Sequence, residues 1–149
     1  MPDQFRIVGV GSPEAGVIEP GWLMLAEEVH RQLRPDLPAE YAARMTAIIR
    51  GGASMSIAAI GERVAAVVVY RFFENSLAGL RCYVDDLVTA AELRSAGAGR
   101  ALLRHVELAA RARGCRSIEL ESGVQRAQAH RFYLGQGFAV TGLSFKKAI

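Results

Sequence analysis

A chain of 149 residues is long enough to bury a core and short enough to read as one domain over residues 1–149. Hydrophobic residues make up 51% and charged residues 22%, a balance that argues against disorder, and no run of about 18 apolar residues is present to span a bilayer. The formal charge is +3, but the basic residues, all arginine except Lys146 and Lys147, are scattered and not interleaved with aromatics, which argues against nucleic acid as a partner.

The segment Met1–Arg6 lacks the charged-then-apolar pattern of a secretory leader, so the sequence reads as cytoplasmic. Gln4–Val10 is predicted as a first strand, followed by a loop rich in Gly and Pro (Gly11, Pro13, Gly16, Pro20). Gly21–Leu33 carries Leu23, Leu25, Ala26, Val29 and Leu33 near one helical face, and Pro35 and Pro38 bracket the turn after it. Ala39–Arg50 is a second helix with Tyr41, Met45, Ile48 and Ile49 as its stripe, stopped by Gly51-Gly52. Ser54–Ile60 and Val64–Phe73 are strand-like, joined by the hairpin signal Gly61-Glu62-Arg63. Ala65–Tyr70 is nearly continuous apolar sequence, which predicts a central strand buried on both faces. Leu80–Thr89 is a further strand. Gly99–Arg113 is the clearest helix, with Leu102, Val106, Ala109 and Ala110 at helical spacing and Gly114 just past its end. Ser117–Glu121 alternates as a strand, Gln125–Gln136 is a helix, and Gly137–Phe145 gives one or two closing strands. The unit formed by Leu80–Thr89, Gly99–Arg113 and Ser117–Glu121 is a βαβ crossover, so its two strands should run parallel in an otherwise antiparallel sheet with helices on both sides. Cys82 and Cys115 have no metal-ligand or disulfide spacing and read as small core residues; no metal site is expected.

The most informative stretch joins that strand to that helix: Arg94-x-x-Gly97-x-Gly99, then Arg100-Ala101-Leu102-Leu103. Glycines let backbone N–H groups converge, and the new helix adds unpaired N–H groups and a positive dipole end, which together suit a diphosphate. A P-loop needs Lys-Ser/Thr after the last glycine, and Arg100-Ala101 stands there. A dinucleotide fingerprint needs a third glycine, and Leu102 occupies its place, although Glu119 lies at the distance of a ribose contact. A tight turn with a helix cap is the plain alternative.

This stretch resembles motif A of the GNAT superfamily of N-acetyltransferases. Ala129-His130-Arg131-Phe132-Tyr133-Leu134-Gly135-Gln136-Gly137-Phe138 is similar to the family's closing helix, and the order of elements agrees along the chain. The resemblance implies an α/β (α+β) fold: a mixed, mainly antiparallel six- to seven-stranded sheet flanked by about four helices, with a splayed parallel strand pair. It further implies an acetyltransferase that takes acetyl-CoA as acyl donor and passes the acetyl group to a primary amine of a small molecule or peptide. Leu87, Val88 and Thr89 would pair with the pantetheine, and a backbone N–H near Val88 or Thr89 would meet the oxyanion. The amides of Ser95, Ala96, Gly97, Ala98, Gly99 and Arg100 would hold the diphosphate, with charge from Arg94 and Arg100, and Arg104 one turn on would reach outer phosphates.

Tyr133 matches the family's general acid for the departing thiolate. Glu121, at the end of the second cleft strand, matches the base of some members; Asp85, Asp86 or water are the alternatives. A non-catalytic acyl-CoA sensor on the same fold is the other class of function. Neither nucleic acid nor membrane is implied as a partner, and the chain would act as a monomer or homodimer. Arg126 stands where many relatives carry an asparagine that contacts the cofactor, and Ala90-Ala91 where a proline is usual. His130 is one turn ahead of Tyr133 and points toward the cleft or to solvent, whereas His30 and His105 are expected at helix surfaces or boundaries.

Overall fold

The computed structural model describes residues 4–149; Met1–Asp3, and with them the start of the segment read for a leader, lie outside the described residues. The chain divides into two compact units, the first ending at Glu119 and the second running from Leu120 to Ile149.

The first unit holds β1 (Arg6–Ser12), β2 (Gly16–Val17), α1 (Pro20–Leu33), α2 (Tyr41–Arg50), β3 (Ser54–Ile60), β4 (Arg63–Asn75), β5 (Gly79–Thr89), a 3₁₀ turn at Ala91–Leu93, α3 (Ala98–Ala112) and all of β6 (Ser117–Leu120) but its last residue. The six strands lie in the order β2-β1-β3-β4-β5-β6; β5 and β6 form a parallel pair and the remaining pairs are antiparallel. Pro20 opens α1 with its φ already set for a helix, and Arg34 ends it ahead of Pro35, which disfavours helical backbone in the residue before it. The β3–β4 hairpin turns at Gly61, whose φ of +58° suits a two-residue turn between Ile60 and Arg63. The β4–β5 hairpin is closed by Asn75, whose Oδ1 accepts the N–H groups of Leu77 and Ala78 at 3.2 and 2.7 Å.

Side-chain alternation sorts the core into two layers. Met55, Ile57 and Ala59 of β3, Val67 and Val69 of β4, and Val88 of β5 pack with Leu23, Ala26 and Val29 of α1 and Tyr41, Met45 and Ile49 of α2. On the opposite face, Ser56 and Tyr70 meet His105 of α3, which buries Leu102, Val106 and Ala110. Every residue of β4 from Val64 to Tyr70 is buried, as the unbroken apolar run predicts.

The second unit contains α4 (Ala127–Gly135). The closing strands expected over Gly137–Phe145 do not form: residues 138–149 carry no regular secondary structure. Gly142 breaks the alternation there, so Leu143 falls on the wrong face to continue the row begun by Phe138 and Val140. Val140, Leu143 and Phe145 are all exposed. Among the described residues no helix is long and apolar enough to cross a membrane.

Candidate functional site

The sheet leaves an open edge at the end of β5. Leu87, Val88 and Thr89 pair on one side with Val68, Val67 and Ala66 of β4. On the other side β6 begins opposite Leu80, where the Arg116 N–H donates to the Leu80 carbonyl at 2.9 Å. β6 is four residues long. At the common rise of parallel strands it ends before Leu87, so within the described residues of the first unit the outer edge of Leu87–Thr89 has no strand against it. Just ahead lies a bulge that sequence alone did not reveal: Val69 pairs with Asp86 and Tyr70 with Val84, leaving Asp85 as the extra residue.

Past Thr89 the chain is pinned and then turned. Ala90 N–H donates to the Ala65 carbonyl at 2.8 Å, and Ala91 N–H to Gln32 Oε1 of α1 at 2.9 Å. After the 3₁₀ turn, Ser95 and Gly97 both adopt left-handed backbone, with φ of +67° and +98°. Gly97 is the N-cap of α3, and no side chain caps that end. Ala96 offers its carbonyl to Gln4 Nε2 at 2.9 Å. Among the described residues the amides of Ser95, Gly97, Ala98, Gly99 and Arg100 have no acceptor. The first-turn amides point along the axis of a 15-residue helix whose dipole is positive at this end. Arg94, Arg100 and Arg104 are exposed, and among the described residues none is in an ion pair. Ala98 and Gly99 are buried, which seats the helix start against the first unit.

Both carboxylates of β5 are already engaged. Asp85 Oδ2 accepts Nε and Nη2 of Arg71 at 2.9 and 2.6 Å. Asp86 accepts from His30 Nε2 at 2.7 Å on Oδ2 and from Arg34 Nε at 2.7 Å on Oδ1. Burial alone would raise the Asp86 carboxyl, but the hydrogen bonds and charges of His30 and Arg34 outweigh it and hold the group below the usual carboxylate range. The surface or boundary position expected for His30 is overturned: it is 1% exposed, with Nδ1 2.8 Å from the Tyr41 hydroxyl. Its spacing from Leu23 and Ala26 puts it on the buried stripe of α1, a signal the periodicity did carry. Burial, with the charges of Glu27 and Asp86, pushes the Tyr41 hydroxyl up and keeps it a donor. His105 sits at a boundary, as expected; its Nε2 lies 3.3 Å from Ser56 Oγ, and burial pushes its pKa down. Cys82 is buried and Cys115 partly so, and among the described residues no group of acidic, His and Cys side chains could hold a metal. An open groove of about 370 Å³ at the α1–α2 connection is lined by Leu33, Arg34, Asp36, Leu37, Arg44 and Ile48, among others.

The second unit holds the two catalytic candidates. Glu121 is exposed and accepts the Ser144 hydroxyl at 3.0 Å. Tyr133 lies between the rings of Phe132 and Phe138, with centroids 5.4 and 5.6 Å away. Burial pushes its hydroxyl above the ordinary tyrosine value, partly offset by the charge of Arg126, so it stays protonated at neutral pH. His130 Nε2 is tied to the Gly123 carbonyl at 2.8 Å, and Arg126 is the N-cap of α4. The first unit therefore gathers Leu87–Thr89 and Arg94–Arg100 in one continuous run, while Glu121 and Tyr133 flank the start and the body of the second unit's helix.

The family model described as the Acetyltransferase (GNAT) family matches residues 22–138. The chain is 40% identical over 72 residues to the uncharacterized N-acetyltransferase YhdJ of Bacillus subtilis, covering 48% of this chain and 51% of that protein. It is 32% identical over 89 residues to the aminoalkylphosphonate N-acetyltransferase of Salmonella typhimurium, covering 60% of this chain and 58% of that one. The matches thus span little more than half the length of these relatives. The fold is similar to that of the aminoglycoside N-acetyltransferase AAC(6′)-Iy solved with CoA, with a TM-score of 0.83, 12% identity, and coverage of 97% of this chain and 94% of that one.

Proposed function

This chain belongs to the acetyltransferase (GNAT) family, and on that premise we propose that it moves an acetyl group from acetyl-CoA to a primary amine by direct attack on the thioester. One observation carries the reading: an open strand edge at Leu87–Thr89 leads, within a few residues, into a helix start where, among the described residues, no side chain caps the end and five amides and three arginines have no partner. That sequence of donors fits a long ligand with amides along its arm and a diphosphate at its far end. The residues for the task are Leu87, Val88 and Thr89 for the pantetheine, the amides from Ser95 to Arg100 for the diphosphate, and Arg94 and Arg100 for its charge. The family model runs across both compact units, which supports a single acetyltransferase domain over residues 1–149.

Acetyl-CoA supplies an activated carbonyl. The neutral amine nitrogen bonds to that carbon, the C–S bond breaks, and the sulfur takes a proton while the amine loses one. A half-buried, protonated phenol is a suitable donor to the thiolate, and that role falls to Tyr133. Asp85 and Asp86 are committed to arginine and histidine partners, which makes them poor acceptors for the amine proton. Glu121, exposed and among the described residues held only by a serine hydroxyl, takes it through water. The acceptor enters by the groove beside α1 and α2, where Arg44 and Asp36 offer both signs of charge.

Coenzyme A at 100 times its Kd should raise the unfolding free energy by about 2.7 kcal/mol, and with it the melting temperature. Acetyl-CoA should then release thiol in the presence of an amine panel that includes aminoalkylphosphonates and aminoglycosides. No shift at millimolar CoA would remove the reading. A shift without turnover on any amine would favour the acyl-CoA sensor.

A further inference from the structure

Apart from Arg34, which also lines the groove at the α1–α2 connection, the network that ties α1 and α2 to β5 has no part in the roles above. His30 Nδ1 faces the Tyr41 hydroxyl at 2.8 Å, and His30 Nε2 faces Asp86 Oδ2 at 2.7 Å. One arrangement gives every polar hydrogen a partner: the Tyr41 O–H donates to Nδ1, and the Nε2–H donates to the carboxylate. The other carboxylate oxygen receives Nε and Nη2 of Arg34 at 2.7 and 2.6 Å, and the same Nη2 donates to the Asp85 carbonyl at 3.1 Å. Arg34 reaches this point because it is the residue that ends α1.

Stability alone does not account for such a chain, since apolar residues of the same volume hold a core as well as a buried ionic network or better. Its position is what sets it apart. Asp85 and Asp86 make the bulge in β5, and the next three residues are the open edge Leu87–Thr89. A bulge bends and twists its strand, so its shape sets the direction of the residues that follow. Arg34 holds the carbonyl of the bulged residue, while His30 and Arg34 together hold both oxygens of its neighbour.

We propose that His30 and Arg34 are positioning residues that clamp the Asp85–Asp86 bulge and so aim the Leu87–Thr89 edge at the thioester end of the acyl donor, with Tyr41 fixing the His30 ring. The kinetic consequence rests on the acetyltransferase reading; the clamp itself does not. The clamp reaches the pantetheine edge but does not touch the amides at the start of α3, so its loss lowers turnover more than it weakens CoA.

The test uses the full chain with Arg34→Met, His30→Leu and His30→Gln. Arg34 is half exposed, so Arg34→Met is the variant expected to fold without difficulty. His30→Gln keeps one acceptor for Tyr41 and one donor for Asp86. Arg34→Met and His30→Leu should lower kcat by about 10- to 100-fold, the scale of an ångström of misplacement. The Kd for CoA and the KM for acetyl-CoA should rise by a smaller factor than kcat falls, since the diphosphate amides are untouched. In the free protein, amide exchange at Leu87–Thr89 should quicken by roughly tenfold or more while exchange in α3 is unchanged. His30→Gln should recover most of both effects. Folded variants with wild-type kcat, or with unaltered exchange at Leu87–Thr89, overturn the clamp. If the wild type turns over no amine, the acetyltransferase reading fails by itself, and the exchange data still decide the clamp.

Discussion

Replacing Gly97 with alanine separates the backbone demands of the loop from its capacity to hold a ligand. Gly97 has φ of +98° and ψ of 6°. An added Cβ would meet only Arg100 Nη2, at 3.7 Å, which is ordinary contact with the end of a flexible side chain. Crowding therefore contributes nothing, and the penalty is the left-handed backbone, roughly 1–2 kcal/mol for an L-residue. At roughly 2–4 °C per kcal/mol for a chain of this size, the melting temperature should fall by about 2–8 °C. If the loop relaxes toward negative φ instead, the first amides of α3 turn away from the phosphates. Losing one hydrogen bond to a charged group, about 1.5–3 kcal/mol, weakens CoA by roughly 10- to 150-fold. Thermal unfolding reads the first effect and titration calorimetry with CoA reads the second. Gly16→Ala is the control, since Gly16, the first residue of β2, has φ of +69° with nothing within 4 Å of the added carbon. It should lower the melting temperature similarly and leave CoA affinity unchanged. A Gly97→Ala protein that binds CoA as tightly as wild type would refute the idea that this loop grips the diphosphate.

Tyr133→Phe should reduce kcat by about 10²- to 10⁴-fold with little change in CoA affinity, and unchanged turnover in steady-state assays would remove Tyr133 from the acid role. Asp86 is held below the ordinary carboxylate value in the fold, so its stabilisation is present above about pH 4 and fades as acid takes the pH through the folded value. Asp86→Asn should then cost roughly 2–3 kcal/mol in urea unfolding at pH 7, with the gap to wild type narrowing below about pH 4; a gap that stays constant with pH would contradict this. Burial pushes the Cys82 thiol up to about 12, whereas Cys115 is only partly buried. Native protein at pH 8 should therefore expose Cys115 to a thiol reagent well before Cys82, which reacts on unfolding; equal rates would show that the sheet opens at β5.

Local chemistry made much of this molecule legible in its sequence. The apolar run of β4, the stripes of α2 and α3, that of α1 apart from Leu25, which is exposed, and the hairpin at Gly61 follow from periodicity and backbone preference, which neighbouring residues settle among themselves. The glycine-rich loop proposed to hold the diphosphate is equally local: two glycines beside a helix start lie close in the chain, so their arrangement shows in the order of residues. The long-range pairings were not legible. The bulge at Asp85 exists only in the register between β4 and β5, and the partners of Asp86 come from residues 52 and 56 positions away. His30 carried its helical phase in the sequence, but not the tyrosine and the carboxylate that make a buried imidazole tolerable. The expected closing strands failed partly for the same reason: Gly142 interrupts their alternation, and a strand is defined by the edge that accepts its hydrogen bonds, which no periodicity reveals. Sequence thus determined most of the segments that curl, extend or turn, and the glycine-rich start of α3. Tertiary structure decided which charges are neutralised, because that depends on distances between residues the chain keeps far apart.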